Sequence, residues 1–446
     1  MASSLLAIAE SGALAASAAL DVTAQNIANV STPGYVDRGI SQTELIGNSA
    51  GNTVDGLSLF GVGPVSVTRN VSAFQQAEVR STNAAATSAD TQVSNLTNVQ
   101  SALEQTNLYA SVTGFATALQ ALAGNPADSS LRAGVLSAAQ AMTQTFNLSS
   151  NQLAQAGQTM QADAAAGVGQ MNQLATSLAA INVKITADAD PAANQASLLD
   201  QRDALLQQMS QIGDITTTIA PDATVRVQMG GTSGPQLVSG GSASPLAMTS
   251  AADGTIAFTL GGQAFAPSGG SLAGDQQSLA TLATTTTGLD TIAATLVADV
   301  NTAQTGGVDL NGNAGLPLFS GNSAATVGLA LTSGSQIATA PAGAAAGSTD
   351  PTNLGAIQTA LAAAGTASRT NALLLTVSNA VHNATTQQTA LDAIAQNART
   401  ALDTSAGVNL DQEAANLLKY QQAYQASGKV IETAQTLFTS LLADLP

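Results

Sequence analysis

Apolar residues recur at every seventh position near the end of the chain: Leu410, Leu417, Tyr424, Ile431, Phe438 and Leu445. Near the start, Leu6, Ala9, Ala13, Ala16, Leu20, Thr23, Ile27 and Val30 alternate steps of three and four. Repeats of this kind lay one apolar stripe along a helix and call for a partner helix against it. The companion row at the C-terminal end, Ala414, Gln421, Gly428, Gln435 and Leu442, is thin and partly polar. Such a seam is too weak for a two-stranded coil standing alone, so the terminal helices are expected to pair as a coiled-coil-like core completed by neighbouring molecules. The candidate assembly positions are Leu6, Ala9, Ala13, Leu20, Ile27, Val30, Leu410, Leu417, Tyr424, Ile431, Phe438 and Leu445.

The pattern between the ends predicts a helix over 4–30 that stops at Ser31-Thr32-Pro33-Gly34, where Pro removes a donor and Gly permits a turn. Short extended pieces follow, punctuated by Gly47, Gly51, Gly56, Gly61 and Gly63. Helical spacing runs from Gln76 to about Leu122, breaks at Gly124-Asn125-Pro126, and resumes from cap residues at Asp128 to Ser130 through Ala187. That last tract, about sixty residues, would span ~90 Å and form a rod. A further helix follows Pro191 through Leu198 to Ile212. From 214 to 270 the pattern switches to extended runs (Ile215–Ile219, Thr224–Met229, Thr255–Leu260) separated by glycine pairs, the signature of a small antiparallel β domain. Helix returns over 276–302, a Gly/Asn loop with a short β element fills 306–340, and helical tracts cover 353–405 and the stretch beyond Gly407.

These elements predict a mainly α chain with an inserted β domain, a nested rod of several domains in which the chain goes out and comes back. Residues 1–35 and 406–446 form the terminal helical assembly domain. Residues 36–213 and 276–405 form a long helical bundle with short β elements. Residues 214–275 form a small antiparallel β outer domain.

Only 9% of the 446 residues are charged, the formal net charge is −17, and the lysines are Lys184, Lys419 and Lys429. Between Arg226 and Arg369 there is no basic residue. Nucleic-acid binding needs clustered cations to displace counterions, so that class is excluded, and an anionic membrane surface is disfavoured for the same reason. No run reaches the ~18 apolar residues of a spanning helix, so no membrane insertion is expected. The first thirty residues lack Lys and Arg and contain Glu10, which does not read as a secretory leader. Without cysteine there is no disulfide framework and no thiolate metal site.

Catalytic parts do not assemble. His382 is the sole histidine, on a helical tract with no acidic cluster beside it, and reads as an ordinary helix residue. Asp309-Leu310-Asn311-Gly312-Asn313 begins like a calcium loop, but Ala314 and Ser320 occupy the positions that need Gly and a bidentate Glu, so it reads as an Asx turn. Asp200, Arg202 and Asp203 form the densest charge cluster and read as local helical ion pairs. Gly61-Val62-Gly63 lacks the third glycine and following helix of a phosphate loop and reads as a turn. No enzyme, metal or cofactor is expected.

The segment Asn26-Ile27-Ala28-Asn29-Val30-Ser31-Thr32-Pro33-Gly34-Tyr35 resembles the N-terminal signature of the flagellar rod, hook and hook-associated axial proteins. Gly407-Val408-Asn409-Leu410-Asp411-Gln412-Glu413, Tyr420-Gln421-Gln422-Ala423-Tyr424, Leu199 to Leu206 and Gly307 to Asn313 resemble the hook–filament junction members of that family, in the family's order. The chain departs from the family pattern in placing Val36 and Asp37 before Arg38. The resemblance implies a non-enzymatic subunit, exported and extracellular, that self-assembles as a layer of the flagellum. Hook protein would lie on one side and a second hook-associated junction protein on the other. It also implies a cytoplasmic export chaperone on the C-terminal helix, for which Leu417, Ile431, Phe438 and Leu442 are the candidate contacts. The alternatives are a hook or other axial protein, which should be mostly β between its ends, and a secreted adhesin, which should cluster aromatics where residues 214–275 hold only Phe258 and Phe265.

Overall fold

The computed structural model describes residues 2–32, 34–45, 61–62, 66–187 and 191–443. Pro33, Gly47, Gly51, Gly56, Gly63 and Leu445 lie outside the described residues, as does the side chain of Leu442. The first helix, α1, spans Ala2–Asn29, and strands β1 (Arg38–Ser41), β2 (Glu44–Leu45), β3 (Gly61–Val62) and β4 (Ser66–Arg69) follow. Four helices come next: α2 (Ala73–Glu104), α3 (Leu108–Gly124), α4 (Ser129–Ala187) and α5 (Pro191–Ile212). Strands β5 (Ile215–Ile219), β6 (Val225–Met229), β7 (Gln236–Ser239), β8 (Ser242–Ala243), β9 (Leu246–Ser250), β10 (Ile256–Leu260) and β11 (Gln263–Phe265) lead into α6 (Gly270–Thr305). Short strands β12 (Gly307–Val308), β13 (Phe319–Ser320), β14 (Gly328–Leu329) and β15 (Ala340–Pro341) precede α7 (Thr352–Ala364), α8 (Thr366–Ala406) and α9 (Leu410–Ala443). The protein is therefore mainly helical with a few small antiparallel sheets.

Two helical tracts that look continuous in sequence are each broken once. The tract from Gln76 ends at Glu104 and restarts at Leu108, because Asn107 takes a left-handed conformation with φ 52°. Asparagine is among the few non-glycine residues that reach this region cheaply. The later tract breaks at Gly365, also left-handed at φ 61°, which caps α7 before α8 begins. Gly61 and Val62 are not a turn: they form β3, paired antiparallel with β2. Gly61 has φ 134° and lies against Ser11 of α1, whose hydroxyl accepts the Val62 N–H at 3.2 Å.

The chain divides into two compact units, and α2, α4 and α8 each contribute to both. The first comprises residues 1–83, 171–245 and 393–446. It holds the α1–α9 pair, the β1–β4 and β2–β3 ribbons, α5 and the four-stranded sheet β5-β6-β7-β8. Asn182 of α4, 1% exposed, fastens that sheet by bonding the Val225 N–H and the Val225 and Gly240 carbonyls.

The second unit comprises residues 84–170 and 246–392 and contains the three-stranded sheet β11-β10-β9. The strands of residues 214–275 thus form two separate antiparallel sheets. Its core is aliphatic and aromatic: Phe115, Leu119 and Leu122 of α3, Met142, Phe146 and Leu153 of α4, and Leu289 and Leu296 of α6 are buried, with Phe115 edge-on to Phe319 at 5.6 Å. Gly157 of α4 lets α6 approach, since a Cβ there would stand 2.9 Å from a Leu282 methyl carbon.

The loop 306–351 carries little secondary structure and is held by side chains instead. Arg132, 1% exposed, donates to the carbonyls of Pro126, Gly334 and Ile337 and to Thr339 Oγ1. Gln304, Asn301 and Asn353 bond the backbone at Gln336, Ala338 and Phe319. Such side-chain partners satisfy backbone groups that would otherwise be buried unpaired. The Asp309 turn matches its reading from sequence: the carboxylate accepts the N–H groups of Asn311 and Asn313.

Buried Asp275 supplies a pH test. It is 2% exposed on α6 and accepts one hydrogen bond, from Asn95 Nδ2 at 2.8 Å. Burial pushes its carboxyl up to about 6, against the Asn95 bond, and Asp163 adds to the rise. A carboxyl raised in the folded state costs stability once ionised, so stability falls as pH climbs from the unfolded carboxylate range through about 6. Asp275→Asn keeps an acceptor for Asn95 and removes the charge. It should raise the thermal midpoint at pH ~7.5, by an amount equivalent to about 2 kcal/mol, and have little effect at pH ~4. Equal gains at both pH values, read by scanning calorimetry, would refute this account.

Candidate assembly surface and its polar anchor

The terminal helices run antiparallel. A Cβ at Gly12 would lie 3.1 Å from Ser427 Oγ, Leu5 lines one cleft with Val430, Ala434 and Leu437, and the Asp37 N–H donates to the Ala406 carbonyl at 2.8 Å. The buried face of α1 is Ala9, Ala15, Ala16, Ala19, Val22, Thr23 and Asn26, and on α9 it includes Glu413 and Ala434. This face is built from small side chains, which allow two helix backbones to approach closely. Many of the larger apolar residues of both helices are exposed.

The predicted assembly positions divide accordingly. Ala9 is buried, and Ala13, Leu20, Leu417 and Ile431 are half-buried. Leu6 (37%), Ile27 (36%), Val30 (40%), Leu410 (50%), Tyr424 (49%) and Phe438 (57%) are exposed in the single chain. Leu14 (66%) and Leu418 (60%), which the heptad reading passed over, are exposed as well. Leu5–Asn29 is long and apolar enough to cross a membrane by length and composition, which corrects the reading that no such stretch exists. Alanine supplies much of that apolarity, and Glu10 and Asp21 interrupt it.

Below the helix pair lies a polar anchor that the sequence did not disclose. Asn26, 1% exposed, uses its whole amide: Nδ2 donates to Asp37 Oδ1 at 2.8 Å and to the Arg38 carbonyl at 2.9 Å, while Oδ1 accepts from Tyr35 Oη at 2.9 Å and the Arg38 N–H at 3.2 Å. The chain reverses between them at Thr32 to Tyr35, with Gly34 at φ 78°. Arg38 then stacks over the Tyr35 ring, 4.9 Å from its centroid.

Arg38 also pairs with Asp200, and so the N-terminal motif meets the Leu199–Leu206 motif on α5. Arg69 of β4 bridges Asp200 and Asp203, each at 2.7 Å. Arg202 pairs with Asp203 at 2.8 Å and reaches the carbonyl of Ala223, itself held at φ 63°. The local pairing read from sequence is therefore half of the arrangement; the other half is long-range. Burial pushes the Asp203 carboxyl up, but Arg202 and Arg69 outweigh it and hold the group below the usual carboxylate range. Arg80 is buried beside this cluster, where it donates to Thr217 at 3.0 Å and burial lowers its pKa. His382 is exposed on α8.

Profiles of the flagella basal body rod protein and of the flagellar basal body rod FlgEFG C-terminal segment match residues 6–35 and 401–444. The profile of the flagellar hook-associated protein FlgK helical domain matches residues 93–319, half of the chain, and the chain belongs to that family of flagellar structural proteins.

Among curated relatives, flagellar hook-associated protein 1 of Bacillus subtilis is 29% identical over 206 residues, covering 44% of this chain and 40% of the relative. That of Escherichia coli K12 is 26% identical over 337 residues, covering 71% and 60%. That of Salmonella typhimurium is 27% identical over 260 residues, covering 57% and 46%. The chain thus spans about half the length of the curated relatives it matches. The solved flagellar hook junction protein FlgK from Burkholderia pseudomallei aligns with a TM-score of 0.49 at 24% identity, covering 55% of this chain and 46% of that one.

Asn26 is the position on which this anchor turns. Asn26→Leu keeps the branched shape but strands two donors and two acceptors of a buried site, each costing ~1–3 kcal/mol. Hydrogen exchange of the full chain should then show early loss of protection in α1 and α9, with α3 and α6 unchanged. Retained protection of α1 would show that the helix pair stands without its anchor.

Proposed function

We propose that this protein is a structural subunit of the flagellum that forms the layer between hook and filament and polymerises through its N- and C-terminal helices. The observation that supports this reading is the arrangement of α1 and α9. Their buried face is made mostly of small side chains, while Leu6, Leu14, Ile27, Leu418, Tyr424 and Phe438 are exposed. Apolar rows exposed on both members of a helix pair are the expected complement of identical neighbours around a closed ring. On this reading residues 1–35 and 406–446 form the assembly domain. Hook protein and a second hook-associated protein flank the layer, and the protein acts outside the cell after export.

A charge on these rows would be desolvated at every copy of the layer, costing several kcal/mol per subunit if unpaired. Ile27 is 36% exposed and Leu20 is half-buried, so Ile27→Asp leaves the single chain folded and Leu20→Asp perturbs it little. Either strain should export the protein yet carry hooks without filaments and shed filament protein into the medium. Charging exposed Gln263 on β11 should leave motility near normal. Normal filaments in the Ile27→Asp strain, with expression verified, would count against assembly through α1.

Before export the same outer row of α9 would serve as the chaperone site, with Leu417, Ile431, Phe438 and Leu442 as its contacts. Replacing Ile431 and Phe438 together by Asp should abolish chaperone co-purification while circular dichroism of the chain stays close to that of the parent. Undiminished co-purification would place the chaperone elsewhere.

A further inference from the structure

The second unit contains a cation with no anion to answer it. Besides buried Arg132, its only arginine or lysine is Arg369, in the first turn of α8. Arg369 is exposed, and among the described residues its guanidinium makes no ion pair and no hydrogen bond. Its side chain folds back over Gly365, so that Nε stands 3.7 Å from where a Cβ of that residue would lie.

The turn beneath this side chain is open. The first bond of the α8 ladder runs from the Arg369 N–H to the Gly365 carbonyl at 2.8 Å, so the N–H groups of Thr366, Ala367 and Ser368 precede it and find no backbone acceptor among the described residues. Thr366 is 1% exposed, and its Oγ1 has no hydrogen-bond partner. Residues Gly365 to Ser368 all line one cleft, about 480 Å³ in volume, between α3, α7 and α8. Val112 and Ala116 of α3 and Leu361 of α7 give that cleft an apolar wall. No carboxylate lines it, although the chain carries a formal charge of −17.

Unfilled N–H groups, the positive end of a long helix dipole and an unpaired guanidinium together favour an anion at one pole of the cleft. The remainder is apolar and of the size that takes a small organic molecule. An inorganic anion would leave the apolar wall uncovered, and a neutral ligand would leave the guanidinium unpaired. We infer that this cleft binds a small organic carboxylate. The head group sits on the first turn of α8 and pairs with Arg369, the Thr366 hydroxyl gains the acceptor it lacks, and the apolar body lies against Val112, Ala116 and Leu361. The site belongs to the second unit alone and does not depend on how the terminal helices assemble.

Octanoate is the probe, with 1-octanol as its neutral counterpart and acetate as the head group alone, each titrated calorimetrically into the full-length chain. Octanoate should bind at least about tenfold more tightly than either control, since only it fills both poles. Arg369→Gln, at an exposed position that leaves the fold intact, should weaken octanoate about tenfold. Thr366→Val should weaken it about threefold without lowering the thermal midpoint, because the hydroxyl it removes has no partner in the free chain. Ala116→Phe fills the cleft and should abolish binding. Absence of saturable octanoate binding overturns the inference, and so does equal affinity for octanoate and 1-octanol. Parental affinity in Arg369→Gln overturns it too. Parental affinity in Ala116→Phe would place octanoate elsewhere, such as beside Lys429 in the cleft lined by Leu5 and Leu437, and would overturn it as well.

Discussion

The first unit depends on keeping one buried amide satisfied. Asn26 sits at the end of a helix whose buried face is otherwise mostly alanine, and each of its four hydrogen-bonding positions is occupied by the loop that follows. A polar group so deeply buried is tolerable only when fully bonded, so the loop has little conformational choice. The reversal at Gly34 brings Tyr35, Asp37 and Arg38 back to Asn26, and Arg38 carries the constraint on to Asp200. From there Arg69, Asp203 and Arg202 extend it to β4, α5 and the β5–β6 turn. Removing one partner of a buried charge network is far more costly than the network's net contribution, which makes the arrangement rigid even if only modestly stabilising.

The composition of the chain follows from the same economy of charge. With so few ionic side chains, four of the chain's eight arginines (Arg38, Arg69, Arg80 and Arg202) gather at this anchor, and a fifth, Arg132, holds a loop in the second unit. Amides take over elsewhere: Asn182, Asn301, Gln304 and Asn353 bond backbone N–H and carbonyl groups. Neutral side chains of this type can be buried without the desolvation cost of an ion. The terminal helices show the complementary choice. Alanine, glycine and serine close the pair, so that leucine, isoleucine and phenylalanine are left for other surfaces.

Much of the secondary structure could be read in the chain. The boundaries of α4 and α5 and the strands β5, β6 and β10 fall where periodicity and glycine pairs put them, because those signals are local. The breaks at Asn107 and Gly365 were not legible: one left-handed residue ends a helix without disturbing the apolar spacing on either side. The heptad row of α9 was legible as a row, but not its direction. Leu417 and Ile431 lie half-buried while Leu410, Tyr424 and Phe438 are exposed. A repeat of seven fixes which residues share a stripe, and it leaves open which stripe the partner helix takes.

By itself the sequence determined the mainly helical class, the absence of clustered cations for nucleic acid, and the axial family, since these rest on composition, local periodicity and short motifs. Tertiary structure alone decided that two of those motifs meet in space. Asn26 to Arg38 and Asp200 to Asp203 are far apart in the chain, and their pairing leaves no trace in spacing. Local signals follow from the few residues that make them. A long-range bond depends on where the whole intervening chain returns, and only the folded molecule specifies that.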